Sequence, residues 1–421
     1  MFAFIPSHRL LAGVIAVVLG ASPWLAVQAE PLSFERAQQL AEHTAPENLA
    51  RMAQVQSAQS SVGPADALPD PKLMLGIQDL PIQGSGRYSF NGDSMTERQI
   101  GLRQEVPNSD KRLARKNLAL ASVGVAEAEQ RAALLEVKRQ TALAWLGVYY
   151  AERSVSLFDQ LDHQVALLRT TTASRIAGGG AQSGDLLQAD QEALSLADRR
   201  DELVQNIAVA RAKLRRWIGA DADQPLQDGP PTWAPILPHS QHTLGRHPDL
   251  QAATARVGEA NAELAEAIAE KKPDWGVELV YGHRDRQFGG DMASLQFTFD
   301  LPLFVGSRQG PRINARQHAL EQREAEQEVM LREHRAELES GLAELERLKK
   351  AVERSQQSSI PLASRRSDLE LASYKAGKSP LNAVISARRE LIEAHLREIS
   401  QQAQLGQLSA SLYFAYVEGL K

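Results

Sequence analysis

The sequence predicts a mainly α-helical protein carrying a small membrane β-barrel portion, and three observations support this. The chain contains itself twice; each copy holds a proline-poor helix far longer than a globular core needs; and each holds two short strands that are apolar on one face only. Four such strands cannot close a membrane barrel, whose practical minimum is about eight, so their edges must pair with other copies. Three copies would give about twelve strands and a wide lumen. The expected architecture is a duplicated helix, strand-pair, long-helix, helix unit, assembled as a trimeric α-barrel below a twelve-stranded β-barrel to which each chain gives four strands.

The duplication fixes the domain plan. Ala45-Pro46-Glu47-Asn48-Leu49 opens a helical stretch that ends near Leu68-Pro69-Asp70-Pro71, and His247-Pro248-Asp249-Leu250 opens its counterpart 202 positions later, ending near Lys272-Pro273-Asp274. Arg103 to Pro107 matches Thr298 to Pro302 at an offset of 195, and Gly178-Gly179 with Leu186 to Ala189 matches Ala376-Gly377 with Val384 to Ala387 at 198. Landmarks in one order at one period define repeats. The plan is a signal peptide at 1–29, a first repeat at 30–220, a connector at 221–240 and a second repeat at 241–421. The connector holds Pro225, Pro230, Pro231, Pro235 and Pro238, which exclude a helix there.

Composition narrows the partners. A count of 47 Lys+Arg against 52 Asp+Glu gives a formal charge of −5, so no global positive field gathers nucleic acid. With no cysteine there is no disulfide, no thiolate metal site and no lipidation on cysteine. Arg9, the apolar run Leu10 to Gly20 and the small-residue site Val27-Gln28-Ala29 read as a secretory signal cleaved near Ala29; the run is too short for a spanning helix.

The strands follow the helical openings. Leu73, Leu75 and Ile77 alternate with Met74, Gly76 and Gln78; Ile100, Leu102 and Val106 alternate with Gly101, Arg103 and Glu105, with Gln104 on the apolar side. In the second repeat Trp275, Val277, Leu279 and Tyr281 share a face, as do Leu295, Phe297, Phe299 and Leu301. A soluble sandwich uses such strands too, but in a secreted chain they also suit a barrel whose apolar side meets lipid. Trp275, Val277, Leu279, Tyr281, Leu295, Phe297 and Phe299 are the expected lipid-facing residues.

Each strand pair leads into a long helix, Asn108 to about Arg175 and Arg312 to about Tyr374, the second interrupted only by Pro361. At 1.5 Å per residue each reaches about 100 Å. Leu331, Leu338, Leu345 and Val352, and again Ile385, Ile392 and Ile399, repeat every seven residues, the mark of a thin coiled-coil seam. The charged run from Glu321 to Arg354 suits either a solvated face with local ion pairs or the wall of a water-filled tube. The long helices reverse at Gly178, Gly179, Gly180 and Gly184, and at Gly377 with Ser379, where glycine allows the positive φ of a helix end. Asp185 or Ser379 is placed to cap the returning helix.

Chemistry-bearing constellations are weak. The histidines are scattered; only His239, His242 and His247 form a group, in and beside the connector, where incidental surface histidines are the simpler reading. There is no Gly-x-Ser-x-Gly and no His-Glu-x-x-His, so no enzyme, cofactor or resident metal is expected.

The duplicated order of helix opening (Pro46; Pro248-Asp249-Leu250), strand-entry proline (Pro71; Pro273), strand-exit pair (Val106-Pro107; Leu301-Pro302) and tip (Gly179 with Asp185 to Ala189; Gly377 with Leu381 to Ala387) resembles the TolC-type outer membrane efflux factors across nearly the whole mature chain. Leu68-Pro69-Asp70-Pro71-Lys72-Leu73 with Met95 to Leu102 looks more like the heavy-metal branch of the CzcC and CusC type than the multidrug branch. The resemblance implies an outer-membrane homotrimer that extends into the periplasm and contacts outer-membrane lipid. It would be coupled through a periplasmic adaptor to an inner-membrane pump of the RND type, with the turns as adaptor-docking tips. It also implies a periplasmic gate in which Asp185 and Tyr374 match the linking positions, while Ala383, Ser386 and Ser379 stand where the multidrug branch has its acidic and basic residues. The alternatives are a multidrug duct of the same fold, or a secreted coiled-coil adaptor or scaffold without a barrel.

Overall fold

The computed structural model describes residues 31–180, 182–227, 229–233, 244–287 and 289–418, with side chains described outside 159–168. The expected signal segment, His239 and His242 lie outside the described residues. The first repeat runs α1 (Phe34–Thr44), α2 (Pro46–Ala65), β1 (Lys72–Gln78), β2 (Glu97–Val106), α3 (Ser109–Ala177) and α4 (Ser183–Ile218). The second runs α5 (Pro248–Ala269), β3 (Trp275–His283), β4 (Met292–Phe299), α6 (Gln309–Arg354), a five-residue π turn (Ser355–Ser359), α7 (Ile360–Lys375) and α8 (Leu381–Tyr416). No helix among the described residues is long and apolar enough to cross a membrane.

The four strands form one antiparallel sheet in the order β1-β2-β3-β4, so the two repeats join through β2 and β3. The register aligns the apolar residues of all four strands: Leu73 opposes Leu102, Leu102 opposes Leu279, and Leu279 opposes Leu295. The next rows are Leu75, Ile100, Tyr281 and, towards the helices, Gln104, Val277, Phe297. β4 stops at Phe299, so Leu301, expected on its apolar face, lies beyond the strand, where Asp300 N–H instead bonds Asp274 C=O at 2.8 Å. Leu301 is exposed, with Leu303 and Phe304.

The helices share a string of small cores. The largest sits midway along α3, where Trp145 and Leu146 pack with Leu214, Trp217, Ile218 and Phe414. Against this girdle α1 presents Ala37 and Ala41, with Ala45 just beyond its end, all fully buried; side chains this small let the helix lie close to α3. The described part of the connector crosses the same level. Leu32 N–H bonds Pro225 C=O at 2.8 Å, and Trp233 meets Phe34 and Tyr413 with ring centroids 5.3 Å apart in each pair. The heptad residues Leu338, Leu345, Ile385, Ile392 and Ile399 are buried, while Leu331 and Val352 are half-buried. The charged face of α6 carries local ion pairs, among them Arg323–Glu326 and Arg347–Glu344, and is exposed in the single chain.

The long helix of the second repeat is not continuous. Pro361 has no N–H to offer and its ring crowds the carbonyl four residues back; the backbone answers with the π turn, in which Ile360 N–H reaches Ser355 C=O. Ser355 and Gln356 then bond Gln401 and Glu398 of α8 at 2.7 and 2.8 Å.

Sheet and helices meet at Asp274. Its carboxylate accepts the N–H of Asn108 at 2.8 Å and the Asn108 side-chain amide at 2.9 Å, and pairs with Lys111 at 2.7 Å. Asn108 in turn caps α3 by accepting Lys111 N–H at 2.8 Å. Burial alone would raise the Asp274 pKa, but Lys111 and Asn108 outweigh it and hold the carboxyl below its ordinary value. A depressed carboxyl gives stability that is fully present above its unfolded-state pKa, near 4, and is lost as pH falls through the lower folded value. The purified protein is therefore expected to lose thermal stability below about pH 4, and Asp274→Asn, less stable at neutral pH, to lose less on acidification. An equal acid-induced drop in Tm for the two proteins would remove Asp274 from the explanation.

Candidate functional site

Two regions carry the residues singled out by the sequence: the apolar face of the sheet and the two helix tips. On the sheet, Trp275, Leu279, Tyr281, Leu295, Phe297 and Phe299 are exposed and Val277 is half-buried. All lie on the face that holds Leu73, Leu75, Ile100 and Leu102, and Leu75 and Phe299 are 72% and 63% exposed. A sandwich would cover these side chains with a second sheet, and among the described residues there is none. The opposite face alternates Lys72, Gln99, Arg103, Glu105, Glu278, Gln296 and Thr298 with Gly76, Gly101 and Gly276. The sheet thus has one largely apolar face and one largely polar face, the latter also holding Met74 and Val280. Its outer strands β1 and β4 each have one edge unpaired among the described residues.

The tips repeat each other hydrogen bond for hydrogen bond. Gly179 N–H bonds Ile176 C=O and Gly180 N–H bonds Arg175 C=O; Gly377 N–H bonds Tyr374 C=O and Lys378 N–H bonds Ser373 C=O, at 2.8 to 3.0 Å. Gly179 and Gly377 have φ of +71° and +73°, the left-handed geometry that closes a helix end at little cost only for glycine. The N-caps differ from expectation. Gln182 and Pro380 hold those positions. Asp185 serves from the first turn, its carboxylate accepting Gln182 N–H at 3.1 Å in a capping box. Ser379 donates instead to Glu370 at 2.8 Å, because Pro380 takes over the chain direction at the helix start. Gly178 is the exposed C-cap of α3, whereas Gly184, expected in the turn, lies in the exposed first turn of α4, because the helix already begins at Ser183.

Asp185 and Tyr374 are not joined within the chain. The Tyr374 hydroxyl is buried and donates to Thr172 at 3.4 Å, and its ring packs with Ala189, Leu381, Val384 and Ile385. What joins the two tips is Arg175. Its guanidinium stacks 4.1 Å from the Tyr374 ring centroid, donates to Tyr374 C=O, and donates to Gly180 C=O at 2.6 Å. One planar cation with several fixed donors ties both Gly turns together. The sequence pointed to the glycines but not to Arg175, whose partners come from the other repeat. A second cross-repeat tie lies nearby, where buried Glu192 of α4 accepts Arg389 of α8 at 2.9 and 3.0 Å.

The fold also makes a cluster that spacing concealed. His247 caps α5 and His334 lies on α6, yet their ring centroids are 4.2 Å apart, with Asp249 beside both. They line a cavity of about 640 Å³ with Glu337, Arg139 and Tyr416. Burial, and to a lesser degree His334, push the His247 pKa down to about 4, so this imidazole is neutral at physiological pH.

Comparison with known proteins places these features. The family model described as outer membrane efflux protein matches residues 240–416. No curated protein sequence matches the chain. Among solved structures, the chain is similar to the CmeC outer membrane channel of Campylobacter jejuni (TM-score 0.78, 14% identity, covering 98% of this chain and 94% of that one). It is also similar to CusC (0.76, 16%, 91% and 91%) and to the outer membrane protein VceC of Vibrio cholerae (0.73, 18%, 91% and 95%). Residues 240–416 thus match the outer membrane efflux protein model, and the chain as a whole has the fold of these outer membrane channels.

Proposed function

We propose that this chain is the outer-membrane exit duct of a tripartite efflux system. Three copies close the barrel and continue as a helical tube into the periplasm, where the tips meet an adaptor that links them to an inner-membrane pump of the RND type. The observation that carries this reading is the largely apolar face of a sheet whose two outer edges are unpaired among the described residues. Exposed backbone groups cannot stay unpaired in hydrocarbon, and only closure with further copies removes both edges. Conduction through such a duct needs no chemistry of its own; the pump supplies the energy.

Heavy-metal cations are the cargo we favour. The support lies in the segments Leu68 to Leu73 and Met95 to Leu102, since the fold is as similar to CmeC as to CusC. At the periplasmic end, Arg175 holds the two tips of each chain together and Asp185 lies at the tip, where neighbouring copies would approach. Closure of the entrance then depends on these two residues more than on the Tyr374 hydroxyl, which Thr172 occupies.

Phe297→Arg, on the apolar face, is expected to weaken insertion by about 2 to 4 kcal/mol if the residue sits at the bilayer midplane, while Thr298→Arg on the opposite face leaves the trimer in the membrane fraction. Equal recovery of both variants as soluble protein would refute a lipid-facing sheet. In planar bilayers, Arg175→Ala and Asp185→Ala are each expected to raise trimer conductance, and Tyr374→Phe to change it less; unchanged conductance in the first two would move the gate elsewhere. Deleting the gene is expected to sensitise cells to zinc, cobalt or copper salts. Sensitisation to organic toxicants alone would assign the duct to the multidrug class.

A further inference from the structure

His247, Asp249 and His334 converge where the start of α5 meets α6. Backbone geometry fixes the first two. His247 is the N-cap of α5 and Pro248 follows at the first helical position, so the chain enters the helix in one direction and carries the buried imidazole with it. The Asp249 carboxylate Oδ2 lies 3.7 Å from His247 Nδ1 and 3.7 Å from His334 Nε2, and the three donor atoms fall within 4.8 Å of one another. These separations are too long for hydrogen bonds, so among the described residues the three groups face one another without bonding side chain to side chain.

The spacing suits a shared ion. Donors bound tetrahedrally at about 2.0 to 2.1 Å stand about 3.3 Å apart, so the two Asp249–His separations of 3.7 Å need to close by a few tenths of an ångström and the His–His separation, within 4.8 Å, by no more than about 1.5 Å. The lone pair of His247 Nδ1 accepts a 3.2 Å bond from Asp249 N–H, which makes Nδ1 the unprotonated nitrogen, and ligation there would replace this long cap bond. His334 is oriented from behind: its Nδ1 lies 3.4 Å from the Tyr416 hydroxyl and 3.8 Å from the Glu337 carboxylate, and its Nε2 is directed to the cluster. A partner on the far nitrogen is the arrangement that fixes the tautomer of a ligating histidine. The cavity beside the cluster has room for water at the remaining coordination positions, and Glu337 adds negative charge to it. The one cation lining it among the described residues, Arg139, is engaged by Glu136 at 2.7 Å.

We propose that His247, Asp249 and His334 form a binding site for a first-row divalent transition-metal ion that ties α5 to α6 within each chain. Two imidazoles with one carboxylate select Zn²⁺ and its neighbours over Mg²⁺ and Ca²⁺, which take oxygen donors. The site stands apart from the exit-duct reading, because an ion held here braces the helices whatever passes through the lumen.

The test uses tag-free, full-length trimer in detergent, stripped with EDTA and titrated with ZnCl₂ by calorimetry. One Zn²⁺ per chain at micromolar or tighter affinity is expected, with a higher Tm in its presence and no displacement by millimolar Mg²⁺. His334→Ala and Asp249→Asn should each weaken binding at least about tenfold. His247→Asn, which keeps an acceptor for the α5 cap, should do the same. Each variant is checked for trimeric elution and helical circular dichroism, so that a folding failure in one leaves the others to decide. Absence of saturable Zn²⁺ binding by the unaltered protein would overturn the proposal. So would binding of the same affinity in His334→Ala and His247→Asn, which would place the ion elsewhere on the chain.

Discussion

A sheet that meets an apolar medium on one face must leave no backbone group unpaired at its edges. Among the described residues the four strands satisfy this at three internal ladders and leave the outer edges of β1 and β4 unpaired, and most of the molecule follows from that shortfall. If copies of the chain complete the sheet, the helices hanging from it are arranged around the same axis. They can then afford narrow seams, since neighbouring copies supply what a single chain lacks. The small, separated cores of the helices and the exposed charged face of α6 suit such an assembly.

The junction at Asp274 shows how two unlike structures are coupled. The change from strand to helix and from helix to strand occurs over a few residues around Pro107 and Pro273. There one carboxylate of the second repeat receives the backbone, the amide and the ammonium group that open α3 of the first. The tie runs between repeats, as the Arg175 bridge does at the opposite end of the same helix. The duplicated halves are therefore linked at both ends as well as along the middle, where Trp145, Trp217 and Phe414 share a core.

Much of this architecture was legible because it is written in periods. Alternation of two found the strands to within a few residues; spacing of seven found Leu338 and Leu345 of α6 and Ile385, Ile392 and Ile399 of α8, though Leu331 and Val352 are only half-buried; and an offset near 198 found both Gly turns. What escaped notice has no period. α1 buries alanines, which carry little contrast in a hydropathy pattern. Gln182 and Pro380 displaced the expected caps because the geometry of the preceding turn, set by glycine and proline, decides which residue enters the helix first. Arg175 and His334 meet partners from distant parts of the chain, so no local spacing marks them. Histidines that look scattered along a sequence can become neighbours once two helices are laid side by side.

The π turn at Ser355–Ser359 has a consequence for helical phase. The seam of α6 runs through Leu338, Leu345 and Val352, and that of α7 through Ile360, Ser367 and Tyr374, so the count between Val352 and Ile360 is eight where all the others are seven. A single skip residue turns everything beyond it by about 100° relative to an uninterrupted α-helix. It carries Tyr374 inward beneath Arg175 and sets the direction in which the Gly377 turn leaves the helix. Pro361, two residues past the turn, makes the skip the backbone's easiest course. The aim of the second tip is thus decided about four helical turns away from it, by a proline that touches neither tip.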